Sequence, residues 1–137
     1  MSVGFKTKLK IELSHKKKNV KWYRLKDDLV YQDEYYCYII CKGYLTDLAS
    51  VPYPLSKWIK PNNKLYARAS VLHDYCYTKQ IGKVKSDKLY YRAMKNDNVP
   101  LRYRVPFFLA VFIFGGKYYE RLWYNRLDIS KQRIEKC

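Results

Sequence analysis

The chain has 137 residues, a length that supports one domain rather than two. Its 28 Lys and Arg against 12 Asp and Glu leave a net charge of +16, which points to a polyanionic partner and says nothing about fold. Aromatics at 18% and hydrophobics at 48% exclude a disordered basic tail, and five Gly with five Pro exclude a collagen-like or low-complexity chain.

Leu9, Ile11 and Leu13 alternate with Lys8, Lys10 and Glu12, the period of a half-buried strand. Residues 15–19 read as a polar, lysine-rich turn, and residues 20–25 resume an extended pattern around Trp22. Residues 29–31 and 35–41, rich in β-branched and aromatic side chains, predict a third and a fourth strand. These strands suggest a small antiparallel meander. Residues 43–54 form an irregular segment broken by Pro52 and Pro54.

The second half reads as helices. Leu65, Ala69, Leu72 and Cys76 recur at spacings of four, three and four, one face of an α-helix that ends before Gly82. Ser86 is a plausible N-cap for a second helix over residues 87–95, with Leu89, Tyr90, Ala93 and Met94 as its apolar side. Pro100 and Pro106 bracket a connection, and helical segments follow at residues 107–114 and 117–127. Strands followed by helices predict an α+β fold. The expected layout is a single domain over residues 1–137: a small N-terminal antiparallel sheet at 5–45, a loop at 46–62 and helices at 63–134.

Cys37, Cys41, Cys76 and Cys137 are too few and too scattered for a disulfide scaffold. Residues 1–14 lack the apolar stretch of a secretory signal. The longest apolar run, residues 105–114, would span about 15 Å as a helix, half of a bilayer core of roughly 30 Å. No transmembrane span is predicted, and reduced thiols in a cytosolic compartment are the default expectation.

Chemistry concentrates around one of only two histidines. His73 has an unperturbed pKa near neutrality and is the candidate general base. Asp74 follows it, and Tyr77 lies one helical turn on. Asp87 opens the predicted second helix, from which a carboxylate could reach back, fix the imidazole tautomer and stabilise the imidazolium. Asp87 is equally well explained as an acidic first-turn residue favoured by the helix dipole. Upstream, Asp47 and Leu48 lie in the irregular loop, and Asp47 could merely close an Asx-turn. Asp47, Asp74 and backbone carbonyls together make an all-oxygen set, which favours Ca²⁺ over zinc.

Two resemblances enter at these residues. The string G-Y-L-T-D-L-A-S-V-P at 43–52, the run A-S-V-L-H-D-Y-C-Y at 69–77 and the segment 87–94 resemble a phage and prophage family designated domain of unknown function 1353. That resemblance covers most of the chain and implies a phage or prophage origin without an activity. More distantly, His73-Asp74-Tyr75-Cys76-Tyr77 is similar to the H-D-x-C-Y helix signature of secreted phospholipases A2. Thr46-Asp47-Leu48-Ala49-Ser50 and Pro52 resemble the shorter calcium loop of bacterial and parvoviral-type members. This likeness implies that His73 activates a water for attack on the sn-2 ester and that Asp87 orients His73. It further implies that Asp74, the Asp47 carboxylate and the Leu48 carbonyl hold Ca²⁺. The chain departs from that pattern in carrying Ala69 and Ser70 where vertebrate enzymes have paired cysteines, and in lacking a glycine-rich calcium loop.

The expected activity is therefore a phage-derived, calcium-dependent lipid hydrolase, with a non-enzymatic phage accessory or virion protein binding a host or phage partner as the alternative. Basic residues crowd the first 26 positions and recur near the C-terminus, as suits an anionic phospholipid surface. The implied location is the host cytoplasm, peripheral at the inner membrane, or the virion. Residues 107–114 read as a core helix, with a lipid-facing segment as the alternative. Nucleic acid is the weaker partner reading, because no helix-turn-helix, zinc-finger or RNA-recognition signature accompanies the basic residues.

Overall fold

A computed structural model describes residues 2–17, 20–46, 64–117, 119–120 and 133–136. Strands β1 (Gly4–Phe5), β2 (Ile11–Lys17), β3 (Val20–Leu25), β4 (Leu29–Gln32), β5 (Tyr36–Ile40) and β6 (Leu45–Thr46) precede helices α1 (Lys64–Thr78), α2 (Lys83–Asn96) and α3 (Leu101–Phe114), and β7 (Arg133–Lys136) follows them. The layout is α+β, as expected. The strands do not form one meander, however. They divide into a four-stranded sheet in the order β1-β4-β5-β7 and a three-stranded sheet in the order β2-β3-β6. Residues 133–136 are strand rather than the end of a helical half.

Local chemistry explains the hairpins. Asp33 closes the β4–β5 turn, its Oδ1 accepting the backbone N–H groups of Tyr35 (2.8 Å) and Tyr36 (2.7 Å), an Asx-type turn. Leu29 then pairs with Ile40 and Tyr31 with Tyr38, which puts these four buried side chains on the core. Residues 15–17 of the predicted turn at 15–19 are strand instead, because β2 runs on to Lys17 and His15 pairs with Trp22, while residues 18 and 19 lie outside the described residues. A register shift between Leu13 and His15 re-aims the strand there.

Both α1 and α2 end in the same device. After α1, Gln80 takes φ 56°, its N–H donating to the Tyr77 carbonyl (3.0 Å) and that of Ile81 to Cys76 (3.4 Å). After α2, Asn98 takes φ 60°, its N–H donating to Lys95 (3.1 Å) and that of Val99 to Met94 (2.9 Å). These are Schellman closures, with Gln and Asn where glycine is usual. Gly82 instead caps the start of α2 at φ 119°, so α2 begins four residues before the expected Asp87. Ser86 is therefore not an N-cap; it lies inside the helix and its hydroxyl donates back to the Gly82 carbonyl at 2.7 Å. Likewise α3 begins at Leu101 and contains Pro106, rather than starting after it.

The core is tyrosine-rich. Tyr31, Tyr38, Tyr66, Tyr75, Tyr77 and Tyr90 are all essentially inaccessible, and burying a hydroxyl carries a cost that a hydrogen bond offsets. Tyr31 donates to Asn96 Oδ1 (2.7 Å), Tyr38 to Asp33 Oδ2 (3.2 Å), and Tyr90 shares a bond with Ser70 Oγ (2.9 Å). Burial pushes the Tyr31 phenol up to about 12. Arg68 ties α1 to its surroundings: the guanidinium grips the Asp97 carboxylate, donates to the Thr7 carbonyl at 3.0 Å and lies over the Phe5 ring. Cys41 and Cys76 are free thiols, but Cys37 is disulfide-bonded, which corrects the expectation of reduced thiols at that position. Cys37 faces Glu135 across the β5–β7 pair.

The core reading of residues 107–114 holds for only part of that segment. Phe107 and Ala110 are buried, whereas Leu109, Phe112, Ile113 and Phe114 are exposed. Among the described residues no helix is long and apolar enough to cross a membrane.

Candidate active site

His73 lies on the buried face of α1, which packs Ala69, Val71, Leu72 and Cys76 into the core. Because α2 starts at Lys83, Asp87 falls in its second turn, on the same side as Leu89, Tyr90, Ala93 and Met94. That position removes the explanation of Asp87 as a first-turn residue serving the helix dipole. The two helices meet face to face, and His73 Nε2 comes within 2.8 Å of Asp87 Oδ1. A nitrogen facing a carboxylate must carry the proton, so Nε2–H donates and the lone pair resides on Nδ1. Among the described residues nothing hydrogen-bonds Nδ1, and the side chain keeps 11% exposure.

Asp87 has no solvent exposure at all. Besides His73, it accepts the Tyr77 hydroxyl on Oδ1 at 2.6 Å and the Lys83 ammonium on Oδ2 at 2.7 Å. Burial alone would raise its pKa, but these three donors outweigh it and hold the carboxyl below its ordinary range. The opposite balance holds for His73. Burial penalises the imidazolium more than Asp87 favours it, and Lys83 adds repulsion, so its pKa falls below the ordinary value. At neutral pH the pair is a carboxylate and a neutral imidazole.

Aromatic rings fix the imidazole plane. Tyr90 stacks on it with centroids 4.6 Å apart and Tyr77 tilts against it at 4.2 Å. Lys83 extends the cluster to the third helix by donating to the Val111 and Phe112 carbonyls at 3.0 Å each. Gly115 makes room for this junction: a Cβ there would lie 2.4 Å from the Val111 carbonyl oxygen and 2.7 Å from the Tyr77 hydroxyl. The part played by Lys83 was missed in the sequence, although its i, i+4 spacing to Asp87 was available as a signal. Tyr90, three residues beyond Asp87, carried a similar signal.

The arrangement can accept a proton at Nδ1 from a water or hydroxyl and stabilise the resulting imidazolium. The expected metal set is less complete. Asp74 follows His73 on α1 and is partly exposed, while Asp47 and Leu48 lie outside the described residues. Among the described residues no three His, Cys, Asp or Glu side chains are grouped to hold a metal ion, so Asp74 alone does not make a Ca²⁺ site. Upstream of Asp47, fully buried Thr46 pairs with Tyr23 on β3. Tyr44 reaches α1 directly, its hydroxyl 3.1 Å from Thr78 Oγ1.

A family model described as "Protein of unknown function (DUF1353)" matches residues 23–111, a span that contains the whole His73–Asp87–Lys83 cluster. No curated protein and no solved structure matches the chain.

Proposed function

The chain belongs to that family of unknown function, and we propose that it is a phage-derived hydrolase of host membrane phospholipid, with His73 as general base and Asp87 as its orienting partner. The observation that carries this reading is the 2.8 Å contact between a neutral, buried imidazole and an ionised, fully buried carboxylate. Structural histidines are tolerated in cores, but a histidine poised neutral, with one nitrogen bonded to a carboxylate and the other without a partner among the described residues, is what base catalysis needs. In the proposed step His73 Nδ1 takes a proton from water as the water oxygen attacks an acyl ester carbonyl. The proton is then delivered to the leaving alkoxide, giving a fatty acid and a lysophospholipid. Asp87 stabilises the transient imidazolium, and Tyr77 and Lys83 keep Asp87 from rotating away.

Ca²⁺, when bound by the Asp74 carboxylate with Asp47 and the Leu48 carbonyl, would supply positive charge for the phosphate and the developing oxyanion. No step assigned above to His73 or Asp87 depends on it. The proposed location is the host cytoplasm at the inner membrane surface, or the virion. The test is fatty-acid release from anionic phospholipid vesicles, with Ca²⁺ and with chelator, for wild type and His73→Gln. Calcium-dependent release that vanishes in the folded variant is expected; absence of release from wild-type protein that binds the vesicles would overturn the reading.

One observation favours a second reading. Lys83 joins Asp87 to two α3 carbonyls, so the cluster also serves as a staple across three helices. In that version the chain is a non-enzymatic phage accessory or virion protein, and disrupting the cluster abolishes folding and partner binding without removing any activity.

A further inference from the structure

We infer that the outer face of α3, with the adjoining edge of α2, is the surface on which the protein docks onto anionic phospholipid. The proposal deepens the lipid reading above and rests on it for the class of partner, but its test reads binding and not hydrolysis.

Helix α3, L-R-Y-R-V-P-F-F-L-A-V-F-I-F, is apolar around its whole circumference beyond its first turn. A helix of that kind is ordinarily buried on all sides. Here only Phe107 and Ala110 are buried, while Leu101, Val105, Leu109, Phe112, Ile113 and Phe114 remain 39–67% exposed. Leu101, Val105, Leu109 and Phe112 recur at spacings of four, four and three, so they form one continuous stripe. A patch of this kind marks an interaction site.

Charge selects the occupant. Helix α3 contains no acidic residue, and the only acid within α2 is the buried Asp87. The two helices are joined at this face: Tyr91 of α2 packs edge-on against Phe108, Arg104 lies over the Tyr91 ring, and Phe108 stacks on Phe112. Exposed Lys88 and Lys95 stand three residues before and four after Tyr91, along the same side of α2. Exposed Arg102 lies within α3 itself. An apolar stripe bordered by cations and, within α2 and α3, free of exposed acids suits the boundary between headgroups and acyl chains. A second copy of this chain would bring two +16 molecules together through like-charged rims, and nucleic acid offers nothing to cover aliphatic Leu101, Val105, Leu109 and Ile113. The stripe also ends beside the candidate site, because Lys83 bonds the Phe112 carbonyl and lies over the Phe112 ring. A membrane resting on this face would approach His73 from the α3 side.

The test is flotation of the full chain with vesicles of phosphatidylcholine alone or with added phosphatidylglycerol, at two salt concentrations. Wild type should float with the anionic vesicles and release them as salt rises. Leu109→Glu/Ile113→Glu should lower partitioning at least tenfold, and Lys88→Glu/Lys95→Glu several-fold, with unchanged thermal midpoints because all four side chains are exposed. His73→Gln should float like wild type, so loss of hydrolysis and loss of docking are read separately. Unchanged flotation of the α3 variant would overturn the proposal. So would vesicle-free dimerisation, or oligonucleotide binding, that the α3 variant alone abolishes.

Discussion

Replacing Asp87 with Asn perturbs the cluster without changing its volume. Asp87 accepts from His73, Tyr77 and Lys83 at 2.6–2.8 Å and is fully buried. Asn keeps one acceptor oxygen, which can serve His73 and Tyr77, but its amide then faces the Lys83 ammonium, donor against donor. Removing one partner of a buried ion pair costs about 3–5 kcal/mol. Lys83 lowers that figure, since its side chain is 23% exposed and retains the Val111 and Phe112 carbonyls. We expect a loss of about 2–4 kcal/mol, or a melting midpoint lower by roughly 6–15 °C for a chain of this size. Urea unfolding should show a lower midpoint with an unchanged slope. Lys83→Met removes the cation that is stranded, so the double variant should lose less than the sum of the singles, by about 1.5–3 kcal/mol. An Asp87→Asn variant within about 1 kcal/mol of wild type, or strictly additive losses, would refute the assignment of a charged, mutually dependent cluster.

The remaining predictions concern pH and space. The His73 pKa is lowered on folding, so from the ordinary imidazole value of 6.5 downward the unfolded chain binds more protons than the folded one. Stability should therefore fall as pH drops below 6.5, and the lowered Asp87 carboxyl adds a further loss below its ordinary 3.8. Urea midpoints from pH 7.5 to 4.5 check this, with a flatter profile in His73→Gln; stability rising on acidification through 6.5 would mean that folding favours the imidazolium. Gly115→Ala should destabilise by more than about 2 kcal/mol in the same assay, because the new Cβ meets backbone at the Val111 carbonyl and also the Tyr77 hydroxyl. A neutral Gly115→Ala would show that the α3 end can shift away from Tyr77.

Periodicity made much of this fold legible. The α1 face and the β3, β4 and β5 strands follow from spacing and residue type, since alternation and 3.6-residue repeats report burial directly. The His73–Asp87 contact was only one of two readings of Asp87, because periodicity within a helix does not say which residues meet across two. Element ends were harder. The left-handed closures fall on Gln80 and Asn98 rather than on glycine, and Gly82, which suggested a helix end, starts the next helix instead. Ser86 resembled an N-cap because serine caps well, yet its hydroxyl serves equally to bond the carbonyl one turn back. The division into two sheets was not legible, because pairing partners depend on contacts far apart along the chain. For the same reason composition suggested a core role for all of residues 107–114: it records how much apolar surface exists, not which side of a helix meets the rest of the molecule.

The β1-β4-β5-β7 order has a consequence for synthesis. The β5 segment Y-C-Y-I-I pairs with β4 early, but its other edge is completed by β7, which emerges after α1, α2 and α3. While the ribosome makes α1, α2 and α3, an apolar and uncharged strand is left with a row of open N–H and C=O groups, the template on which aggregates grow. The lysines that flank this half of the chain offer a counterweight, since like charge keeps nascent copies apart until β7 arrives.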